Sequence, residues 1–351
     1  MTPGVRNVLV NATLVAGSVL ASLAAAEGAI AYALDHPEIL TAPSGGETKL
    51  LALARDYYMS WDRRIVQFLP ACARYDPQLS YTLKPGECMV ENREHRVHYQ
   101  INREGLRDDE DALVRPAVVV TGDSHALGWG VARDDALSRR LGMLLRVKTL
   151  NAAQSSYGTA RELALIERLD LSAAKAIIIQ YCNNDFDENQ AFAATGTLGI
   201  ISSQQYAAIV ADHVNDTRYY PFKYLRILLS IARQTMRSRD LEPPAPEPTN
   251  AQEARAFLDV LLRHEKTLKG RAVVVTEINE PHDMEPGFII AARELLKESR
   301  YAGLSPVVSF VDLAPVLTAN DYYMLDDHMR PTGHAKAALA IGAELKRMGV
   351  F

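Results

Sequence analysis

From residue 116 to the C-terminus, short runs of β-branched apolar residues alternate with longer stretches in which apolar and polar positions mix at helical spacing. The apolar runs predict strands at 116–123, 146–153, 175–185, 271–279 and 306–313. The longer stretches predict helices near 134–145, 159–169, 251–268, 287–299 and 333–347. Strands that are apolar on both faces and alternate with helices are typical of parallel sheets covered on both sides. The pattern therefore predicts a three-layer α/β/α domain around a five-stranded parallel sheet.

The N-terminal 34 residues have a different pattern. No charged residue occurs from residue 7 to residue 26, and roughly 20 apolar residues at ~1.5 Å rise each match a hydrocarbon core of ~30 Å. Residues 1–34 are therefore predicted to be a transmembrane anchor. Arg6 precedes the apolar run and Asp35 follows it. This asymmetry predicts a single-pass protein with its N-terminus in the cytoplasm and its main domain periplasmic or extracellular.

Two other interpretations of this segment stay open. The three alanines at 24–26 resemble the cleavage site of a signal peptide, which would be removed from the mature protein. A buried helix of a soluble domain could have a similar composition. A retained anchor is favoured because the apolar run resumes at 29–34, past the point of cleavage.

The remaining chain divides into two predicted regions. Residues 35–115 predict a polar linker, to about residue 48, followed by a membrane-proximal cap with a helix around 50–69. Residues 116–351 form the predicted α/β domain, which carries an insertion at about 187–270 between its third and fourth strands.

Within the insertion, the amphipathic segment 219–239 precedes a proline-rich tether at 242–249. The segment could be an interfacial helix, a lid over the site, or a helix packed on the domain with a solvated basic face.

Composition excludes several classes of function. The formal net charge of -5 provides no basic face for a nucleic acid. The chain has no phosphate-binding GxxxxGK[ST] loop and no HExxH helix, and its three cysteines form no CxxC pair. No metal and no cofactor are therefore expected. Cys72 and Cys88 could form a disulfide in an oxidising compartment or remain two thiols, while Cys182 is separate from them.

Candidate chemistry lies at the predicted strand ends, where parallel sheets gather their reactive groups. Ser124 follows the first strand on a sharp turn, Asn184 follows the third, and His328 follows the last, just before the final helix. Each of them could also be an ordinary turn or capping residue. An asparagine that follows three isoleucines is expected to be buried and to need hydrogen-bond partners. His125, next to Ser124, is expected to line the pocket, because adjacent side chains on a turn point in different directions.

Four ordered blocks then resemble the SGNH, or GDSL-type, esterase superfamily: GDSHALGWGV, NAAQSSYGTARE, YCNNDFDEN and DDHMRPTGH. The upstream stretch YQINREGLRDDE resembles an element that precedes the nucleophile in many membrane-anchored members. The resemblance implies a flavodoxin-like sheet with Ser124 as nucleophile and His328 as general base. It also implies an oxyanion hole formed by the Asn184 side chain, the Ser124 N–H and the loop around Ser156 and Gly158.

The chain departs from the family pattern at three positions. Ser156 stands where the second block has its glycine, with Gly158 two residues later, and Cys182 replaces the glycine of the third block. The acidic residue expected three positions before the histidine is a leucine. Asp326, two positions before His328, is therefore the preferred acid, and Asp327 is the alternative.

The resemblance predicts a serine esterase that cleaves an O-acyl ester, such as an O-acetyl group, on a small molecule or a cell-envelope glycan. The membrane is the second expected partner, through the N-terminal helix. Two alternatives remain. The same residues could transfer the acyl group to a sugar hydroxyl, as an O-acyltransferase. The scaffold could also serve a non-catalytic subunit of an envelope complex.

Overall fold

The computed structural model describes residues 3–42, 48–237, 247–281 and 283–351. The chain forms two compact units. The first consists of residues 1–63, 215–245 and 324–326, and the second of residues 64–214, 246–323 and 327–351. Most of the predicted proline-rich tether (242–249) and part of the linker (35–48) lie outside the described residues.

The helices follow the predicted pattern closely. They are α1 (Pro3–Asp35), α2 (Lys49–Trp61), α3 (Ser124–Leu127), α4 (Leu137–Leu145), α5 (Thr159–Ile166), α6 (Phe186–Thr195), α7 (Ser203–Thr217), α8 (Lys223–Arg237), α9 (Asn250–Arg263), α10 (Glu265–Leu268), α11 (Gly287–Leu295) and α12 (Pro331–Arg347). The helix predicted around 50–69 is shorter, because α2 ends at Trp61. The helix predicted at 251–268 is interrupted at His264, which separates α9 from α10.

Two antiparallel hairpins precede the sheet. They pair β1 (Ala73–Asp76) with β2 (Ser80–Leu83) and β3 (Gly86–Glu91) with β4 (Arg96–Ile101). Cys72 and Cys88 form a disulfide with a Cα–Cα distance of 5.4 Å. A crosslink that closes a loop of this length is worth about 3 kcal/mol in the chain-entropy account. These hairpins belong to the second unit, so the region predicted as a cap is divided between the units after residue 63.

The five-stranded parallel sheet is confirmed. Its strands are β5 (Val118–Thr121), β6 (Thr149–Asn151), β7 (Ala176–Tyr181), β8 (Ala272–Glu277) and β9 (Val308–Val311). They lie in the order β6-β5-β7-β8-β9, and each neighbouring pair is parallel. This is a flavodoxin-like order, in which the connections reverse direction next to β5. Ligands of such sheets bind at the carboxyl ends of the strands near this reversal.

Alternate residues of the strands serve the two faces of the sheet. Val119, Ile177 and Val275 lie in one apolar core together with residues of α5, α9 and α11. Val120 and Ile178 lie in a second core with residues of α4 and α12. Because successive side chains of a strand point to opposite faces, a strand covered on both sides reads as a continuous apolar run. The layers are therefore helix, sheet and helix, as predicted.

The first unit is helical. Part of α1, α2 and α8 share an apolar core that includes Leu34, Tyr57, Tyr58, Tyr224 and Ile227. Residues 4–25 of α1, in contrast, are exposed along their whole length. The stretch Gly4–Asp35 is long and apolar enough to cross a membrane.

Candidate functional site

Ser124 lies on a tight turn at the carboxyl end of β5. Gly122 has a φ of 151°, and a Cβ at this position would lie 2.6 Å from Oε1 of Gln180. The turn therefore requires glycine. Asp123 caps α3 by accepting a hydrogen bond from the N–H of His125 at 2.8 Å. Ser124, the first residue of α3, is only partly buried, so a ligand can reach its hydroxyl.

A buried amide from the neighbouring strand supports this turn. Gln180, near the end of β7, is fully buried. Its Oε1 accepts hydrogen bonds from the N–H of Asp123 at 3.1 Å and of Ala126 at 3.2 Å. Two backbone donors on either side of Ser124 are thereby satisfied away from water. The sequence signal for Gln180 was present, because it is the one amide in the otherwise apolar run of β7.

The upstream element holds the loop that follows α3. The guanidinium of Arg107 is buried and donates to the carbonyls of Leu127 at 3.0 Å and Val131 at 2.5 Å, and also to the carbonyl of Gly128. The next residue, Asp108, accepts a hydrogen bond from the N–H of Asn151 at 3.0 Å. The stretch YQINREGLRDDE thus holds the loop after β5 through Arg107 and the end of β6 through Asp108.

His328 lies at the end of a short loop that is closed by its own backbone. The N–H of Tyr323 donates to the carbonyl of His328 at 3.0 Å, and Tyr322 pairs with Met329. Nε2 of His328 is 2.6 Å from Oγ of Ser124. Its Nδ1 is 2.7 Å from Oδ1 of Asp327. Ser124, His328 and Asp327 therefore form a continuous hydrogen-bonded chain.

Asp327, the alternative acid, contacts Nδ1 of His328, and the catalytic role predicted for Asp326 stays a prediction. Asp326 belongs to the first unit, where its Oδ2 accepts a hydrogen bond from the Tyr58 hydroxyl at 2.5 Å. Asp327, the alternative from the sequence, has the geometry that orients an imidazole. The prediction for Asp326 relied on its spacing from His328 in the motif, and the two adjacent carboxylates have the same distance from the histidine to within one residue.

Two aromatic rings, those of Trp129 and His125, pack against His328. The indole of Trp129 stacks on its imidazole with centroids 5.1 Å apart and an interplanar angle of 29°. The ring of His125 lies 4.8 Å away, so His125 borders the base while His328 itself faces Ser124. Burial, with the nearby His125 and Arg107, lowers the pKa of His334 to about 3. His334 is therefore uncharged at neutral pH and adds no positive charge beside His328.

The loop after β6 keeps a backbone conformation that favours glycine. Ser156 has a φ of 58°, in the left-handed region. Its Oγ accepts a hydrogen bond from Nε2 of Gln67 at 2.8 Å, and its carbonyl accepts one from the Tyr81 hydroxyl at 2.9 Å. Gly158 is the N-cap of α5 and packs against Glu188. The part that Ser156 and Gly158 would take in an oxyanion hole stays a prediction.

Asn184 lies on the turn after β7, but it is not buried. Both Asn183 and Asn184 are exposed, so the expectation of a buried asparagine is wrong, and the buried amide of this strand is Gln180. The turn is held from the neighbouring strand end. Asn279 accepts a hydrogen bond from the N–H of Asn183 at 2.9 Å and donates to Glu277 at 2.8 Å. Nothing in the motifs pointed to Asn279.

An acidic cavity of about 680 Å³ adjoins this turn. Its lining includes Asn183, Asn184, Asn279 and five carboxylates: Glu247, Glu253, Glu277, Asp283 and Glu285. Burial, with added repulsion from Glu253, raises the pKa of Glu277 to about 8. Glu277 is therefore largely protonated at neutral pH, whereas the exposed Asp283 and Glu285 give the cavity a negative rim.

Further acidic groups lie buried behind the two turns. Burial, followed by repulsion from Asp185 and Asp123, raises the pKa of Glu162 well above its usual range. Neither carboxylate oxygen of Glu162 has a hydrogen-bond partner among the described residues. Burial likewise raises the pKa of Asp185 and of the Cys182 thiol. A protonated Cys182 thiol is a weak nucleophile.

Together, fold and site define a flavodoxin-like α/β protein with a serine–histidine–aspartate chain at the carboxyl end of its parallel sheet. No family model and no curated protein sequence matches the chain.

Solved structures that match it include GDSL-type lipolytic proteins and esterases, the superfamily whose motifs the sequence resembles. A protein of the G-D-S-L lipolytic family from Desulfitobacterium hafniense is 14% identical, covers 65% of this chain and 98% of its own, and has a TM-score of 0.34. A member of that family from Veillonella parvula is 10% identical, with coverage of 66% and 98% and a TM-score of 0.38. An acetyl xylan esterase from Butyrivibrio proteoclasticus is 12% identical, with coverage of 67% and 64% and a TM-score of 0.37.

Proposed function

We propose that this chain is a serine ester hydrolase of the SGNH type. Ser124 is the nucleophile, His328 the general base and Asp327 the residue that orients the base. The observation that carries this proposal is the pair of hydrogen bonds, 2.6 Å from Ser124 to His328 and 2.7 Å from His328 to Asp327. A capping or structural role for Ser124 does not require an imidazole against its hydroxyl.

The geometry supports a two-step acyl transfer. With its Nδ1–H donated to Asp327, the imidazole keeps Nε2 unprotonated, so Nε2 accepts the Ser124 proton as Oγ attacks the acyl carbon. The N–H of Ser124 and the amide of Asn184 stabilise the resulting oxyanion. The alcohol leaves with the proton from His328, and an acyl-serine remains. Water, deprotonated by His328, then releases the carboxylic acid and restores Ser124.

The cavity beside Asn184 suggests the class of substrate. Its lining of amides and carboxylates can exchange hydrogen bonds with a hydroxyl-rich alcohol such as a glycan. Its negative rim disfavours an anionic acyl group. The proposed substrate is therefore a neutral O-acyl ester, with O-acetyl as the smallest case. We expect acetyl esters to be hydrolysed faster than succinyl esters of the same alcohol.

The same cavity also favours the O-acyltransferase alternative. A volume of about 680 Å³ could hold a second hydroxyl-rich molecule as acyl acceptor in place of water. Incubation of the protein with an acyl donor and a soluble glycan, followed by mass spectrometry, separates the two activities. Acylated glycan would indicate transfer, and free acid alone would indicate hydrolysis.

The direct test uses Ser124→Ala and His328→Asn, with the exposed Ser305→Ala as a control. Hydrolysis of p-nitrophenyl acetate should fall by roughly three or more orders of magnitude in the first two variants and stay unchanged in the control. A fluorophosphonate probe should label wild type but not Ser124→Ala. Folded wild-type protein that is neither labelled nor active would support the non-catalytic alternative instead.

We also propose that α1 spans the membrane and is retained, with the second unit outside the cytoplasm. The exposed apolar residues 4–25 and the disulfide between Cys72 and Cys88 support this placement, because structural disulfides persist in oxidising compartments. Beyond the possible cleavage point, the same helix packs Leu34 into the core of the first unit. The intact mass of protein extracted from membranes distinguishes a retained anchor from a cleaved signal.

A further inference from the structure

Hydrogen bonds join α1, just past the end of its exposed apolar stretch, to the start of α8. Glu27 is buried, two residues past residue 25. Its carboxylate accepts hydrogen bonds from the N–H of Tyr224 at 3.2 Å and of Leu225 at 3.0 Å. A carboxylate at the N-terminus of a helix satisfies free backbone donors. The first turn of α8 therefore lies at the level where the exposed apolar residues of α1 end.

The end of α2 lies at the same level. Lys223, the first residue of α8, is buried and donates to the carbonyl of Trp61 at 2.7 Å. It also donates to the carbonyl of Asp216 at 2.7 Å and lies 3.8 Å from the Asp62 carboxylate. The end of α2 and the segment before α8 are thus both held to the first turn of α8, which Glu27 caps.

The side chains at this level are aromatic, basic and exposed. The exposed fraction is 37% for Trp61, 54% for Tyr219 and 37% for Tyr220. Arg226 is exposed, and its guanidinium lies 5.4 Å from the centre of the Tyr220 ring. Among the described residues Arg226 has no carboxylate partner. We call Trp61, Tyr219, Tyr220 and Arg226 the collar.

A groove of about 550 Å³ continues from the collar along α8. Trp61, Tyr220 and Arg226 line it together with Leu229 and Arg233. Tryptophan and tyrosine favour the boundary between hydrocarbon and water, because their rings are apolar and their N–H and O–H groups remain hydrated. Arginine adds a permanent cation that binds phosphate oxygens. This combination fits the headgroup layer of a bilayer.

We propose that the collar binds phospholipid headgroups of the leaflet from which α1 emerges, with the lipid phosphate on Arg226. This inference rests on the proposal that α1 spans the membrane, and it is independent of the esterase activity. Anionic lipids bind more tightly than zwitterionic lipids, because no carboxylate of the described residues pairs with Arg226 and the groove adds Arg233. The collar thereby fixes the height of the first unit above the bilayer.

The two tryptophans of the chain, Trp61 and Trp129, permit a direct measurement. In full-length Trp129→Phe protein reconstituted into vesicles, Trp61 is the only indole. We expect its emission to shift to shorter wavelength in the bilayer. Lipids brominated near the headgroup end of their acyl chains should quench it more strongly than lipids brominated near the terminal methyl. If Trp129→Phe does not fold, the difference between wild type and Trp61→Phe gives the same signal.

The charge contribution is measured by comparing vesicles of phosphatidylcholine with vesicles that contain roughly one third phosphatidylglycerol. We expect a larger shift of the Trp61 emission in the anionic vesicles, and Arg226→Glu should remove most of this difference, because it replaces a cation with an anion. The matched control is Lys269→Glu, which makes the same charge change at an exposed lysine of the second unit. It should leave the difference unchanged. Hydrolysis of a soluble ester should be the same in Arg226→Glu, in Lys269→Glu and in the protein into which these changes are introduced.

Two results would overturn the inference in distinguishable ways. Alkaline extraction of the vesicles shows whether the chain remains inserted. If it does and Trp61 is not quenched, the collar faces water and the inference is wrong, while the spanning helix stands. If the chain is extracted, the spanning helix and the collar both fail. Esterase activity in either case leaves the proposed chemistry intact.

Discussion

The turn that carries Ser124 and the turn that carries Asn184 leave neighbouring strands of one sheet, yet they are held in different ways. The Ser124 turn is surrounded by buried polar groups: Gln180 satisfies two of its N–H groups, and Arg107 satisfies three carbonyls of the loop that follows. In the Asn184 turn, by contrast, Asn183 and Asn184 are exposed, and the buried supports lie beside them: Asn279 accepts a hydrogen bond from the N–H of Asn183, and Asp185 accepts one from the Thr159 hydroxyl.

The difference matches what each turn has to do. In the proposed mechanism, Ser124 shares a 2.6 Å hydrogen bond with its base and needs a fixed backbone, because a small displacement breaks the contact. An amide that lines a cavity must admit a ligand and exchange water for it. Substitutions that remove a support of the Ser124 turn should therefore lower the free energy of unfolding. Substitutions in the Asn184 turn should instead lower activity and change stability little.

The largest effect should come from the acid that serves the Ser124 turn. Asp327→Asn removes the carboxylate that fixes the His328 tautomer, and kcat/KM for p-nitrophenyl acetate should fall by about 10⁴-fold. Asp326→Asn is the matched control, with the same change one residue earlier at a carboxylate bound to Tyr58. It should retain activity within a few-fold. Equal losses in both variants would mean that the two carboxylates act together.

Asn184→Ala should lower kcat by about 10²- to 10³-fold, because one donor to the oxyanion is lost. The melting temperature should not change, since the side chain is exposed. Asn183→Ala, an exposed amide on the same turn, is the control and should stay close to wild type. A clear drop in melting temperature for Asn184→Ala would show that this turn is structural after all, which would break the comparison.

Much of this arrangement could be predicted from the sequence. The alternation of apolar runs and helical stretches gave all five strands and the parallel sheet, and Ser124, Asn184 and His328 were placed at strand ends or before the final helix. Burial alternates with a period of two residues in β3 and β4, but the outward positions include the apolar Met89 as well as polar residues, and no strands were predicted there. The hairpins were missed because such short, mixed strands give a weak signal.

The rest depended on tertiary contacts. Whether Asp326 or Asp327 meets His328 is decided by the path of a short loop, which no local pattern encodes. Gln180 and Asn279 act across strands, and their partners are backbone N–H groups that carry no sequence identity. A lone amide in a buried strand does indicate that such partners exist. It does not indicate whether those partners lie in the turn that carries Ser124 or at the end of the strand that carries the amide.

Glu277, behind the Asn184 turn, should make stability depend on pH. Its pKa is raised from 4.5 to about 8 in the folded state. The folded state therefore holds a proton that the unfolded state has lost, and the free energy of unfolding falls as pH rises from roughly 4.5 to 8. Glu277→Gln mimics the protonated acid. Between pH ~5 and ~8 it should gain about 3 kcal/mol relative to wild type.

Chemical denaturation of both proteins across this pH range measures the effect. Glu285→Gln lines the same cavity with an exposed carboxylate and is the control. Its stability should follow that of wild type at every pH. If the stability of Glu277→Gln also follows that of wild type, the Glu277 carboxyl is ionised in the folded protein at neutral pH. The cavity then carries one more negative charge.

The smallest of these effects concerns Gln180 and contrasts most directly with Asn184. Gln180→Leu keeps the volume of the side chain but leaves the N–H groups of Asp123 and Ala126 buried without an acceptor. We expect a loss of about 2 kcal/mol in the free energy of unfolding, together with faster hydrogen exchange at these two amides. kcat should fall while KM changes little, because Ser124 is displaced from His328 but the cavity is intact. Gln180→Glu retains an acceptor oxygen and should restore part of the protection of both amides. The comparison between the turns would be wrong if Gln180→Leu spared stability and Asn184→Ala reduced it.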